Sequence, residues 1–269
     1  MTVKSILTKH SSTALFHKVY QRIEEIVSTD RLDVLTNAAL YRMRQEYDHS
    51  EEAGYLWSMG KDSVALQWLC EEAGITKSYM VLPHKSLEWP INDNWWDRCK
   101  PAELRITRIE EISAELYYPG ERWHEHLFAR PHGQEVSDEW YQLKWPYMRA
   151  WPVEENLKVT FAGRRTKDGN FCGPDGRYEL KNGVVVSNPM YDWTHEELLA
   201  FLKYHKIELP PSYWLPQGFE GTSHWWTDYE SDSQYAGWLD LAEHDPVLPR
   251  RYQDVFPEAR KALKAKGMV

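Results

Sequence analysis

Gly54-Tyr-Leu-Trp-Ser-Met-Gly-Lys-Asp-Ser-Val-Ala-Leu-Gln-Trp-Leu-Cys70 decides how the rest of the chain is read. It predicts a short apolar strand from Tyr55 to Trp57, a tight loop from Ser58 to Asp62 and a helix from Ser63 to about Ala73. Gly60 is expected to take a backbone conformation that a Cβ resists, which lets amides approach an anion closely. A helix starting beside it aims free N–H groups and the positive end of its dipole at the same point. Lys61 adds a mobile charge, and Ser58 and Ser63 offer hydroxyls to phosphate oxygens. These residues make a phosphate cradle.

The stretch is not a Walker A loop, because Tyr55 stands where that motif needs its first glycine and Asp62 follows the lysine. Ser58-Met-Gly-Lys-Asp-Ser63 resembles instead the PP-loop, Ser-Gly-Gly-x-Asp-Ser, of the ATP pyrophosphatases. With Val64-Ala-Leu-Gln-Trp-Leu69 it is most similar to the phosphoadenosine-phosphosulfate reductase family, on the side of the catalytic subunit of bacterial ATP sulfurylase. Met59 stands where the pattern has a glycine. The resemblance implies a doubly wound, mostly parallel α/β sheet of the adenine nucleotide α-hydrolase kind. It implies ATP and Mg²⁺ as cofactors, and cleavage between the α- and β-phosphates that leaves AMP on an acceptor.

Leu157-Lys-Val-Thr-Phe161 reads as a later strand, and Ala162-Gly-Arg-Arg-Thr-Lys-Asp168 after it resembles the family's second signature. Fixed guanidinium groups can stabilise the charge that develops on a departing pyrophosphate. The resemblance therefore assigns Lys61, Asp62, Arg164 and Arg165 to catalysis. Ser58, Met59, Gly60, Lys61, Asp62, Ser63 and Gly163 would bind the nucleotide, with Asp62 as the ligand of Mg²⁺. Gly163 is expected to turn the backbone close to the nucleotide, and both arginines to enter the pocket of Gly60 and Lys61. Asn188-Pro-Met-Tyr-Asp-Trp-Thr-His-Glu-Glu-Leu-Leu-Ala-Phe-Leu-Lys-Tyr-His205 is the third resemblance, an architectural one. Thr194 and Glu197 have capping-box spacing, Trp193 is expected to pack the helix start onto the sheet, and Leu198, Phe201, Leu202 and Tyr204 form the apolar stripe.

The flanks follow from periodicity. Leu15, Val19, Ile23 and Ile26, then Leu32, Leu35, Ala39 and Met43, predict two helices broken at Thr29-Asp-Arg31. Gly74 fits a helix C-cap, Ser78 to Leu82 a second parallel strand, Asn92 to Lys100 a helix capped by Asn92 or Asp93, and Leu104 to Ile109 a third strand. Pro83-His-Lys-Ser-Leu-Glu-Trp-Pro90 carries the family's aromatic-proline element at Leu87 to Pro90. It lacks the aspartate that relatives place before that element, which opens a different substrate. Asn182-Gly183 predicts a hairpin turn. The expected organisation is an N-terminal helical segment over 1–48, the nucleotide-binding domain over 49–211 with an insertion near 118–152, and an aromatic extension over 212–269. Pro119, Pro131, Pro146 and Pro152 punctuate the insertion, where His124, His126 and His132 are read as surface or lid residues.

Fourteen tryptophans in 269 residues require that many sit in the core. No apolar run approaches the roughly 20 residues of a membrane span, and Met1 to Ser12 lacks the apolar stretch of a secretory signal. Cys70, Cys99 and Cys172 are too far apart for a metal pair or a disulfide framework, so a reduced, cytoplasmic protein is expected. A net charge of −9 argues against non-specific nucleic-acid binding over the whole surface but leaves a local basic groove open. Homo-oligomers or a partner subunit stay open as well. No cysteine follows Cys172 to supply the nucleophile of the reductases proper. The chain thus reads as an ATP pyrophosphatase that adenylylates sulfate or another small substrate. A base-modifying nucleic-acid enzyme of the thiolation type and a non-catalytic nucleotide-binding subunit are the alternatives. The C-terminal aromatics, Trp214, Phe219, His224-Trp-Trp226, Tyr229, Tyr235 and Trp238, are expected mainly to bury against a core, with a stacking platform for a base or a flexible strand as the alternative. The last helix, Pro257 to Lys266, is expected to be solvated.

Overall fold

The computed structural model describes residues 5–8, 11–82, 90–108, 133–215, 218–219, 231–254 and 256–269. Six strands, β1 (Ala53–Leu56), β2 (Lys77–Leu82), β3 (Glu103–Arg108), β4 (Val159–Phe161), β5 (Arg177–Glu179) and β6 (Val185–Ser187), form one sheet in the order β3-β2-β1-β4-β6-β5. β1 runs parallel to β2 and β4, and β4 runs parallel to β6. The hairpin turned at Asn182-Gly183 adds β5 antiparallel at one edge. β4 is buried along its whole length, as a strand covered on both faces must be. This is the expected doubly wound α/β sheet. Its strand order reverses between β1 and β4, and open sheets of this kind take ligands at the carboxyl ends of strands beside such a reversal.

The helices of the described residues are α1 (Thr13–Gln21), α2 (Ile23–Ile26), α3 (Thr29–Arg44), α4 (Lys61–Glu72), α5 (Asp93–Cys99), α6 (Gly133–Glu154), α7 (His195–Tyr204), α8 (Ser231–His244), α9 (Val247–Tyr252) and α10 (Pro257–Ala265). None is long and apolar enough to cross a membrane. The chain divides into two compact units. One comprises Met1–Val81, Cys99–Thr107 and Pro146–Leu209, and the other Leu82–Arg98, Arg108–Trp145 and Pro210–Val269.

In the first unit, α4 ends as the sequence suggests. Gly74 takes φ 76°, and the Gly74 and Ile75 amides donate to Glu71 O at 3.0 Å and Cys70 O at 2.8 Å, a Schellman closure. The N-terminal helices break elsewhere than expected. Ser28 caps α3 by accepting from the Arg31 amide, so Thr29-Asp-Arg31 forms its first turn and the breaks fall at Arg22 and Val27. Leu32, Leu35, Ala39 and Met43 are buried as the pattern predicts. α7 carries the full Thr194–Glu197 capping box. Its residues from His195 to Leu202 are all buried, whereas Tyr204, placed in the apolar stripe, is 45% exposed. The N-terminal segment is tied to this helix: Arg31 Nε donates to Glu197 Oε1 at 2.8 Å, and the Ile6 and Leu7 amides donate to the buried Glu196 carboxylate. Trp151 of α6 stacks on Tyr79 of β2 with ring centroids 5.0 Å apart. Pro146 and Pro152 therefore do not break the chain into a loop; both lie inside α6.

In the second unit, α8, α9 and α10 enclose Trp238, Leu241, Ala242, Tyr252, Phe256, Ala259, Ala262 and Leu263. The last helix is thus amphipathic rather than wholly solvated. α5 begins at Asp93, directly after Asn92. The Asn92 side-chain amide pairs reciprocally with Ser212, donating to Oγ at 3.2 Å and accepting from N at 3.1 Å. The aromatic-proline element before Pro90, His124, His126, His132, the segment His224 to Trp226 and Tyr229 lie outside the described residues.

Candidate functional site

β1 continues for one more pairing, Trp57 N–H to Tyr79 O at 2.9 Å, before the chain turns. The turn corrects one expectation. Gly60 has φ −65° and ψ 149°, ordinary extended backbone, and the left-handed residue is Met59 at φ 58°. The non-glycine residue therefore carries the strain at the position where the PP-loop pattern has glycine. Left-handed backbone costs a side-chain-bearing residue about 1–2 kcal/mol, and burying the Met59 thioether chain returns about 1.5–3 kcal/mol. Truncation separates these terms. Met59→Ala keeps the strain and loses the burial, while Met59→Gly loses both. The glycine variant is thus expected to be more stable than the alanine variant by about 1 kcal/mol, measurable by urea unfolding.

α4 begins at Lys61, two residues earlier than the pattern predicts, so Lys61 and Asp62 are its first helical residues. Gly60 provides no capping side chain, and the first amides of a helix have no intrahelical acceptor. Ser63 braces the loop from behind: its Oγ accepts from Ser58 N–H at 3.1 Å and donates to Gly60 O at 2.9 Å, with Ser58 Oγ at 3.3 Å. Lys61 Nζ donates to Asp62 Oδ2 at 2.9 Å.

The chain leaving β4 arrives beside this first turn. A Cβ on Gly163 would lie 2.8 Å from Asp62 O and 3.2 Å from Ser63 N. The missing side chain therefore admits the backbone of α4. Two residues on, Arg165 is fully buried and its guanidinium donates in four directions. Nε reaches Asp62 Oδ1 at 2.7 Å, Nη2 reaches Asp168 Oδ1 at 3.1 Å, Nη1 reaches Trp193 O at 3.4 Å, and Nη2 lies 3.3 Å from His195 Nδ1. The next guanidinium, that of Arg164, donates to Tyr178 Oη at 3.2 Å.

The charges set the protonation states. Burial alone would push the Asp62 carboxyl up, but the Arg165 and Lys61 cations outweigh it and hold Asp62 well below the usual carboxylate range. Burial and then the Asp62 charge push Asp168 up. Burial, reinforced by Arg165 and Lys61, pushes the His195 imidazole down to about 4. The result is a locked pair of cations and carboxylates behind a helix N-terminus. It can hold an anion in front without a buried net charge behind.

The structure thus brings Ser58, Met59, Gly60, Lys61, Asp62, Ser63, Gly163 and Arg165 together, with the Arg164 guanidinium on Tyr178 Oη. Sequence reasoning assigned no role to Asp168 or His195. The spacing of Arg165 and Asp168 could have suggested a local ion pair, but nothing local marks His195. Among the described residues no group of three metal-ligating side chains forms.

No family model matches this chain, and no curated protein matches it. Among solved structures it is similar to the crystal structure of phosphoadenylyl-sulfate (PAPS) reductase from Candida auris in phosphate complex. The TM-score is 0.44 and the identity 13%, over 68% of this chain and 90% of that one.

Proposed function

We propose that this chain is a PP-loop enzyme that binds ATP and cleaves it between the α- and β-phosphates, leaving AMP on sulfate or another small substrate. One observation carries the reading. The α4 N-terminus, capped by no side chain, follows the carboxyl end of β1 beside the reversal in strand order. The PP-loop resemblance of Ser58 to Ser63 supplies the kind of ligand, an adenine nucleotide.

The first α4 amides, the Lys61 ammonium and the Ser58 hydroxyl would hold the phosphates. Ser63 acts from behind by keeping the loop in shape. Arg165 holds Asp62, and Arg164, the less buried of the two arginines, would meet the departing pyrophosphate. No covalent nucleophile is required, since positioning and charge neutralisation lower the barrier. Mg²⁺ would come with the nucleotide. Asp62 suits a direct bond to it poorly, because Oδ1 already accepts from Arg165 and Oδ2 from Lys61.

The test is incubation with Mg²⁺ and α-labelled ATP, alone and with sulfate or nucleic acid, followed by separation of AMP, ADP and pyrophosphate. AMP and pyrophosphate are expected, falling about 100-fold or more in Lys61→Ala. ADP as the main product rules out α–β cleavage. ATP that binds but stays intact under every condition moves the reading to a nucleotide-binding subunit.

A further inference from the structure

One buried side chain of the site has no part in that scheme. His195 opens α7 and is 2% exposed, with Phe16 edge-on at 6.0 Å. Its Nδ1 lies 3.3 Å from Arg165 Nη2 and 3.8 Å from Asp168 Oδ1. A guanidinium only donates, so a hydrogen bond to it needs an unprotonated Nδ1. The single ring proton then sits on Nε2, which is buried and has no partner within the described residues. An orphaned donor costs free energy that an aliphatic side chain of similar size would avoid. The Nδ1 end does what a hydrocarbon cannot. Arg165 faces two carboxylates, Asp62 from α4 and Asp168 three residues along its own chain. Trp193 O and His195 Nδ1 are the other two acceptors around it, and together the four fix the plane of the guanidinium.

We propose that His195 is a positioning residue: as the neutral, Nε2-protonated tautomer it accepts from Arg165 and keeps that guanidinium turned toward Asp62. Without this acceptor the guanidinium can pivot onto Asp168 alone and release Asp62, and with it the partner of Lys61. The groups that act on the ring, Arg165, Lys61, Asp62 and Glu196, together with burial leave it neutral at physiological pH. The consequence for a bound nucleotide rests on the function proposed above; the consequence for Arg165 does not.

Nitrogen-15 NMR of the full chain tests the assignment. The His195 ring should hold its proton on Nε2 throughout pH 5–8. A doubly protonated ring at pH 6, or a proton on Nδ1, overturns it. The Arg165 Nε–H signal should be protected from solvent exchange in the native chain and in His195→Asn, whose side-chain oxygen can stand in for Nδ1. It should lose that protection at least 10-fold in His195→Leu. Unchanged protection in a folded His195→Leu, or lost protection in a folded His195→Asn, overturns the proposal. Mg²⁺–ATP affinity, measured by calorimetry on the same proteins, should fall about 10-fold in His195→Leu and be mostly recovered in His195→Asn. If the Arg165 signals behave as stated and the native chain binds no ATP, the positioning role stands and the nucleotide reading falls.

Discussion

Replacing Arg165 with methionine is expected to lower stability at pH 7 by about 3 kcal/mol, as measured by urea unfolding. Removing one member of a buried ion pair usually costs about 3–5 kcal/mol, because the partner is left with an uncompensated charge. The lower end applies here. Arg165 is fully buried, but Asp62 and Asp168 keep 22% and 21% of their side chains exposed, and solvent takes up part of the loss. Methionine fills much of the arginine stem's volume, so packing is a minor part of the change.

The pH dependence separates charge from packing. In the native chain the folded pKa of Asp62 is depressed, so its stabilisation is present above the unfolded pKa and lost as pH falls through the folded value, below the ordinary carboxylate range. Asp168 has the opposite sign: its folded pKa is raised, so its contribution is full below the unfolded pKa and is lost as pH rises through the folded value. Without Arg165 both carboxyls are expected to rise in pKa. The folded variant then takes up protons that the unfolded chain does not, and it gains stability as the solution is acidified. The deficit against the native chain should shrink between pH 7 and pH 4.5. A deficit that stays constant over that interval would mean that Arg165 acts through shape alone.

Trp151→Ala is expected to cost about 3–5 kcal/mol, the range for emptying a buried aromatic site. The ring is 1% exposed, lies nearly parallel to Tyr79 with an interplanar angle of 14°, and also packs on Leu157. The sheet is shaped for it. A Cβ at Gly54 would come 2.6 Å from Trp151 Cη2 and 2.8 Å from Leu157 Cδ1. Gly54→Ala alone should therefore destabilise by about 1–3 kcal/mol through overpacking, and by less once Trp151 is already alanine. A double-mutant cycle measures that coupling, and strictly additive losses would sink the packing account.

The residues read correctly from sequence are those whose partners are local. Tyr55 to Cys70 announces a strand, a turn and a helix because a short apolar run, a glycine-bearing loop and a run free of glycine and proline follow one another. Asn182-Gly183 turns a hairpin and Thr194 with Glu197 caps α7 for the same reason, since each bond closes within a few residues. The motif resemblances singled out the loop from Ser58 to Ser63 and the strand that delivers Gly163. Even so, which of two adjacent loop residues goes left-handed was not legible. That choice depends on where the Met59 side chain finds a buried site and on α4 starting at Lys61.

Only the tertiary structure decided the rest. The motif alone turns Arg165 toward a pyrophosphate; the side chain is instead buried on Asp62, a partner 103 residues away in the chain. The pair forms because β4 lies beside β1, and strand order is a property of the whole sheet. Sequence pattern alone puts Trp151 in a proline-punctuated insertion, yet it lies on a helix whose inner face covers β1 and β2. Local pattern tells which face of an element is apolar. It does not tell which partner that face meets, because that is fixed by which strands become neighbours and by how tightly glycines such as Gly54 and Gly163 let the layers approach.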